Sequence, residues 1–150
     1  ASRTQNLLLA VWGPSAADTW AAGTHGVVLR RSGTTWSRVD SGTEVSLFAL
    51  TGSAADAVWA VGEQGVAIRW NGSRWQAQPT HASGGLFGAW SAPTGLTWAV
   101  GAGGALVQWD GARWNSLASQ TTSDLRASWG SAADDLWAVG LGGLILNYEP

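Results

Sequence analysis

Short apolar runs separated by glycine pairs recur along the chain in a fixed register. Around Trp59 the order is Trp59-Ala60-Val61, then Gly62-Glu63-Gln64-Gly65, then Val66-Ala67-Ile68. Two apolar runs flanking a tight glycine-bracketed turn describe the strands of a hairpin. Close relatives of this stretch begin at Trp20, Trp98 and Trp137, so each start lies 39 residues from the next. A unit this small cannot bury its own apolar faces, and a fixed period of this size marks a propeller or a solenoid.

Aligned on this period, the aromatic residues fall into four columns. The first holds Trp12, Thr51, Trp90 and Trp129; the second Trp20, Trp59, Trp98 and Trp137; the third Arg31, Trp70, Trp109 and Tyr148; the fourth Trp36, Trp75 and Trp114. All twelve tryptophans sit in a column. Scattered stacking platforms for sugars or bases would not keep this register, so the indoles are expected to fill the gaps between neighbouring sheets. The pairs Gly23/Gly26, Gly62/Gly65, Gly101/Gly104 and Gly140/Gly143 bracket the same hairpin turn, and Gly33, Gly72 and Gly111 hold the next one. No strand-loop-helix context surrounds them, so none forms a phosphate cradle.

Four strands per unit follow. The first covers about Leu7 to Trp12, Ser46 to Thr51, Gly85 to Trp90 and Asp124 to Trp129, the second carries the second tryptophan column, the third starts at the second glycine, and the fourth begins at Trp36, Trp75 and Trp114. Acids between the first two strands, in Ser53-Ala54-Ala55-Asp56 and Ser131-Ala132-Ala133-Asp134-Asp135, are expected to fix the turn by bonding nearby backbone amides. The fold class is therefore all-β: a β-propeller of four units of about 39 residues, with blades near 7–40, 46–79, 85–118 and 124–150 in a single domain. The fourth unit stops after its third strand. Residues 1–6, where Ser2-Arg3-Thr4-Gln5 resembles Ser37-Arg38-Val39-Asp40, are expected to supply the missing strand within one chain or between two. Small residues at Ala10, Ala49, Gly88 and Ala127 allow close approach near an axis and favour a large ring. The preferred assembly is a homodimer of half-propellers forming an eight-bladed ring; the alternative is a closed four-bladed monomer.

Composition narrows the function classes. Charged residues make up 12% of the chain and the net charge is −2, so no basic surface exists for nucleic acid. No apolar run approaches the roughly 20 residues of a membrane helix. Cysteine is absent, which removes disulfides and thiolate chemistry and leaves the compartment unread. Lysine and methionine are absent too, which a coding bias explains as well as a function would.

The motif Trp98 to Gly101, Gly104, Asp110-Gly111 and Trp114 resembles the bacterial-neuraminidase-type, Asp-box-like repeats of seven-bladed or similar propellers, including the photosystem assembly-factor subgroup. The aspartate of that box is kept at Asp110, with Asn71 and Ser32 in its place elsewhere. The resemblance implies the fold; its members include enzymes, lectins and assembly factors. Sialidase chemistry would need a tyrosine nucleophile, and the sole tyrosine, Tyr148, occupies a packing column. No enzyme activity and no cofactor are expected.

Within the Gly-x-x-Gly frame the middle residues vary: Thr24-His25, Glu63-Gln64, Ala102-Gly103, Leu141-Gly142. These turns and the linkers between units emerge on one propeller face, where ligands are met. Candidate ligand-binding residues are therefore His25, Glu63 and Gln64 in the turns, Glu44 and His81 in the linkers, and Arg126 directed at the channel. Asp124 lies in the same linker group. His25 and His81 lack a fixed third ligand, so no metal site is expected. Three functions remain: a non-catalytic binding or scaffolding module with a protein or small-molecule ligand, a lectin gripping glycans with exposed indoles, and a designed or recently amplified repeat that only folds and assembles.

Overall fold

A computed structural model describes Ser2 and residues 4–148. Among the described residues fifteen strands run in chain order: β1 Leu8–Ser15, β2 Asp18–Gly23, β3 Val28–Ser32, β4 Thr35–Val39, β5 Leu47–Ala54, β6 Ala57–Gly62, β7 Ala67–Trp70 and β8 Trp75–Ala77. They continue as β9 Leu86–Ser91, β10 Thr97–Gly101, β11 Leu106–Trp109, β12 Trp114–Ser116, β13 Leu125–Ala132, β14 Asp135–Gly140 and β15 Ile145–Tyr148. Each repeat is an antiparallel meander; three sheets have four strands and the last has β13, β14 and β15. First strands pack in succession, β1 on β5, β5 on β9 and β9 on β13. They mark the inner edge of an arc of blades. Among the described residues no comparable packing joins β13 back to β1.

The predicted columns are the glue between blades. Trp20 of the first blade meets Trp70 and Trp75 of the second at ring separations of 4.9 and 5.2 Å. Trp59 meets Trp109 and Trp114 of the third at 4.9 Å each. Tilted and edge-on indoles at these distances gain from their quadrupoles as well as from burial. Trp98 closes the third boundary with Leu125, Leu136 and Tyr148 around it. Small first-strand residues do let the sheets converge: a Cβ on Gly88 would stand 2.8 Å from the Ala127 Cα.

Each first strand also carries an irregularity that the alternating pattern did not reveal. Register slips between Leu8 and Ala10, Leu47 and Ala49, and Leu125 and Ala127, and opposite Gly88 and Leu86 in β9. One residue in each blade, Leu9, Phe48, Phe87 or Arg126, is thereby the extra residue of a bulge, which re-aims a side chain.

The acids between first and second strands behave differently from expectation. Asp135 accepts from the Ser131 hydroxyl and from Asn147 Nδ2 at 3.0 Å, and Asp18 pairs with Arg30 at 2.8 and 2.9 Å. Their partners are side chains reaching over from neighbouring positions, so these acids tie strands together rather than capping backbone amides. Backbone capping occurs instead in the later turn. Asp110 Oδ1 accepts from the amides of Ala112 and Arg113, and Asn71 Oδ1 from those of Ser73 and Arg74. The proposed closing strand, residues 1–6, includes Ala1 and Arg3, which lie outside the described residues; Ser2 and residues 4–6 carry no strand.

Candidate functional site

The second and third strands of every blade are joined by a single 3-10 turn: Thr24–Gly26, Glu63–Gly65, Ala102–Gly104 and Leu141–Gly143. The first bracketing glycine is extended and serves close approach. A Cβ on Gly23, Gly62, Gly101 or Gly140 would run into the carbonyl of Leu7, Ser46, Gly85 or Asp124. That carbonyl accepts the next backbone amide, from Thr24, Glu63, Ala102 or Leu141, at 2.9 Å in all four blades. The second glycine, as at Gly26 with φ +62°, is left-handed.

The residue before it is left-handed too. His25, Gln64, Gly103 and Gly142 have φ of 56, 57, 62 and 74°. This restricts the position to glycine or to polar residues that tolerate that conformation. The variety at His25 and Gln64 is thus bounded by backbone geometry, which the sequence did not disclose.

Each turn is sealed by the linker leading to the next blade. The hydroxyls of Ser41, Thr80 and Ser119 donate to the carbonyls of Gly26, Gly65 and Gly104 at 2.7, 2.7 and 2.6 Å, and all three hydroxyl residues are buried. Where turn and linker meet, the surface is notched. The first notch, about 710 Å³, brings His25 and Glu44 together with Arg38 and Asp40. A second, about 370 Å³, joins Gln64 and His81. The candidate residues are therefore distributed over separate notches, and His25 and His81 line different ones. No grouping of three metal-ligating side chains occurs among the described residues.

Two candidates are held by structural bonds. Glu63 Oε2 accepts the Ser46 amide at 3.2 Å, spanning turn and linker. Arg126 sits at the bulge of β13, its guanidinium carbon 4.4 Å from the Phe87 ring centroid and its Nη2 2.9 Å from Asp124. Phe87 in turn lies 5.7 Å from Phe48. Phe48, Phe87 and Arg126 thus form a connected apolar and cationic row on the inner edge of the blades. The strand alternation gave no signal for Phe48 and Phe87, whereas their 39-residue spacing with Arg126 did.

No protein-family model and no curated protein matches the chain. Among solved structures, YCF48 with a bound D1 peptide superimposes on 99% of this chain and 53% of its own length, with a TM-score of 0.75 at 19% identity. YCF48 from Cyanidioschyzon merolae gives 99% and 55%, a TM-score of 0.75 and 18% identity. The computationally designed Ika4 protein gives 97% and 92%, a TM-score of 0.77 and 13% identity. The chain thus spans about half the length of the YCF48 chains it matches. Four antiparallel meanders wedged by indole columns, together with these superpositions, show that the chain has a β-propeller fold.

Proposed function

We propose that the chain is a non-catalytic scaffolding half-propeller that completes an eight-bladed ring with a second copy and offers its turn-and-linker face to a protein ligand. One observation supports the reading: residues of the last blade are exposed at positions whose column mates the interior blades bury against each other. Trp20, Trp59 and Trp98 are at most 2% exposed, whereas their column mate Trp137 is 42% exposed. Val139 and Ile145 are 46% and 68% exposed, although Ala22, Val61 and Val100, and Val28, Ala67 and Leu106, are buried at the same places.

The other end complements this face. Trp20, Ala22 and Val28 pack on Leu47, Leu50, Ile68, Trp70 and Trp75 of the following blade. One period earlier stand Leu8, Val11, Leu29, Arg31 and Trp36. Val11 is strongly exposed and Leu8 partly so, whereas Leu29 is already buried with Ala21 and Val27 against Trp36. Arg31 and Trp36 would receive Trp137 of another copy as Trp70 and Trp75 receive Trp20, with a guanidinium stacking on an indole.

Such a contact is head-to-tail, and head-to-tail contacts close into rings or run on as filaments. Burying each large apolar side chain contributes about 2 kcal/mol. A two-copy ring makes both interfaces for a single loss of translational freedom, which favours closure over an open string. One copy covers 53% of the YCF48 chain, so a single copy is about half of a chain of that size.

A protein ligand is supported by the D1 peptide bound to YCF48, a protein of the same fold. The notches near His25 and His81 and the inner row of Phe48, Phe87 and Arg126 provide mixed apolar and polar contacts of the kind peptides use. A lectin would need indoles on the ligand face. Trp129 and Trp137 are the markedly exposed ones, and they belong to the blade boundary. Sedimentation at micromolar concentration should give twice the 15.5 kDa chain mass. A monomer would overturn the ring.

A further inference from the structure

Asn71 is the one asparagine of the chain that precedes a glycine; Asn6, Asn115 and Asn147 precede Leu7, Ser116 and Tyr148. It lies in the turn between β7 and β8, where Asn71, Gly72, Ser73 and Arg74 are all exposed. Its carboxamide oxygen Oδ1 accepts three hydrogen bonds, from the Ser73 amide at 3.0 Å, the Ser73 hydroxyl at 2.9 Å and the Arg74 amide at 3.0 Å. The bond from the Ser73 amide closes a ring around the peptide between residues 71 and 72 and folds the side chain back over it. Three donors on one oxygen draw electrons from Cγ and stabilise negative charge that gathers on Oδ1, as an oxyanion hole does. The nucleophile stands next in the chain. Among the described residues the Gly72 amide donates to no acceptor, and with φ +95° and no side chain its nitrogen is unscreened.

The third blade shows the same turn built around a carboxylate. Asp110 is the column mate of Asn71 and also precedes a glycine, Gly111. Asp110 Oδ1 accepts the Ala112 and Arg113 amides at 2.8 and 2.9 Å, and Oδ2 accepts from Asn115 Nδ2 at 2.8 Å. In the second blade Asn71 Nδ2 donates to Gln76 Oε1 at 2.9 Å. A half-turn of the Gln76 carboxamide exchanges its acceptor for a donor, so this turn can hold an aspartate by the Asp110 pattern. The third blade also shows why such a product persists. Its carboxyl is held down at about 2, and an ionised carboxylate resists attack by the next amide.

We infer that Asn71 is a self-modification site, at which the folded chain converts its own asparagine to aspartate through a cyclic imide without an enzyme. The Gly72 nitrogen gives its proton to solvent hydroxide and attacks Asn71 Cγ, and the carbonyl electron pair moves onto Oδ1 under its three donors. The Cγ–Nδ2 bond then breaks, and Nδ2 takes a proton from water and leaves as ammonia. Water adds to Cγ of the imide, the new Cγ–N bond breaks, and the Gly72 nitrogen regains a proton, which leaves a carboxylate on residue 71. Attack of water on the other imide carbonyl would instead route the backbone through Cβ, lengthen it by an atom and shift β8 against β7. The pairing of Trp70 with Trp75 right beside the turn opposes that shift, so the folded turn selects the ordinary aspartate. The product carries an additional negative charge beside Arg74, the column mate of Arg113.

The test incubates the full folded chain in neutral buffer and then cleaves it after arginine. Arg69 and Arg74 bound a fragment of residues 70–74 that holds no other asparagine. This fragment should gain about one dalton with time and elute with a synthetic aspartate standard, while the fragments holding Asn6, Asn115 and Asn147 keep their mass. Ser73→Ala takes one donor from Oδ1 and leaves both amides in place. With its fold checked by thermal unfolding, it should convert about fivefold more slowly, the worth of one neutral hydrogen bond. Conversion of Ser73→Ala at the parent rate or faster would show that the donors restrain the side chain rather than activate it, and the cradle would be wrong. A 70–74 fragment that keeps its mass in the folded chain, even if it converts in urea, overturns the site. An iso-aspartate product from the folded chain overturns the selection by the turn.

Discussion

Trp12 and Gly52 meet across the boundary between the first two blades, the indole Cη2 lying 2.7 Å from where a Cβ on Gly52 would stand. Trp90 and Gly130 repeat the relation two blades on, with Cζ3 at 2.6 Å. Where the column holds Thr51, the residue in the glycine position of the next blade is Ser91. Large meets absent at these two boundaries, as close packing requires, and small residues stand at both positions of the boundary between them. Trp129 at one end and Gly13 at the other are the unpaired halves of the same relation, both exposed.

Gly52→Ala should destabilise the chain by about 1–3 kcal/mol, since it overfills the boundary. Two obstacles meet the new methyl group: the Trp12 ring and the Ala57 carbonyl oxygen at 2.8 Å. In a Trp12→Thr background one obstacle is gone, so the same substitution should cost about 1 kcal/mol less. Urea unfolding of the four chains measures the coupling, and equal costs in both backgrounds would show that the ring and the glycine do not share this space.

Trp59→Ala and Trp129→Ala should separate folding from assembly. Trp59 is buried against two indoles, and its truncation should cost about 3–5 kcal/mol. Trp129 is 60% exposed in one chain. Its truncation should yield a folded monomer whose melting temperature no longer rises with protein concentration. Thermal unfolding followed at several concentrations, with masses from light scattering, decides between these behaviours.

The absence of cysteine allows a direct test of the proposed ring. Ala10 and Ala127 are column mates of Ala49 and Gly88, and the first strands of adjacent blades run so close that a Cβ on Gly88 would strike the Ala127 backbone. Mild oxidation of mixed Ala10→Cys and Ala127→Cys chains should give a disulfide-linked dimer, while neither chain alone should link. The double variant should form a doubly linked dimer on non-reducing gels. A compact, internally linked monomer would mean that four blades close by themselves.

Acid should loosen the third blade's last turn through Asp110. Hydrogen bonds from the Arg113 and Ala112 amides and from Asn115 Nδ2 hold its carboxyl down at about 2. A folded pKa below the unfolded value means that the contribution is complete above about pH 4 and fades as the pH falls toward 2. Asp110→Asn keeps an acceptor for both amides, as Asn71 does in the second blade, and should flatten that part of the pH dependence. Amide exchange of Ala112 and Arg113 across this range would follow the loss; protection unchanged down to pH 2 in the parent would count against it.

The notches and the inner row were only partly legible beforehand. His25, Gln64 and His81 could be placed in turns and linkers because glycine pairs and the 39-residue spacing punctuate the chain. Their distribution into separate concavities depends on which linker folds over which turn, a long-range fact. The bulges at Phe48, Phe87 and Arg126 were hidden for a related reason. A bulge is a mismatch between two strands, and neither strand alone contains it.

The chain's own residues determined the repeat, the strand order within it and the tasks of its tryptophans, because a period-two strand pattern and a left-handed glycine are local requirements that recur at every unit. Tertiary structure alone decided that Trp137, Val139 and Ile145 face outward while their column mates are buried. The reason is physical: burial belongs to a pair of surfaces, and identical side chains gain or lose it according to whether a neighbouring blade stands beside them.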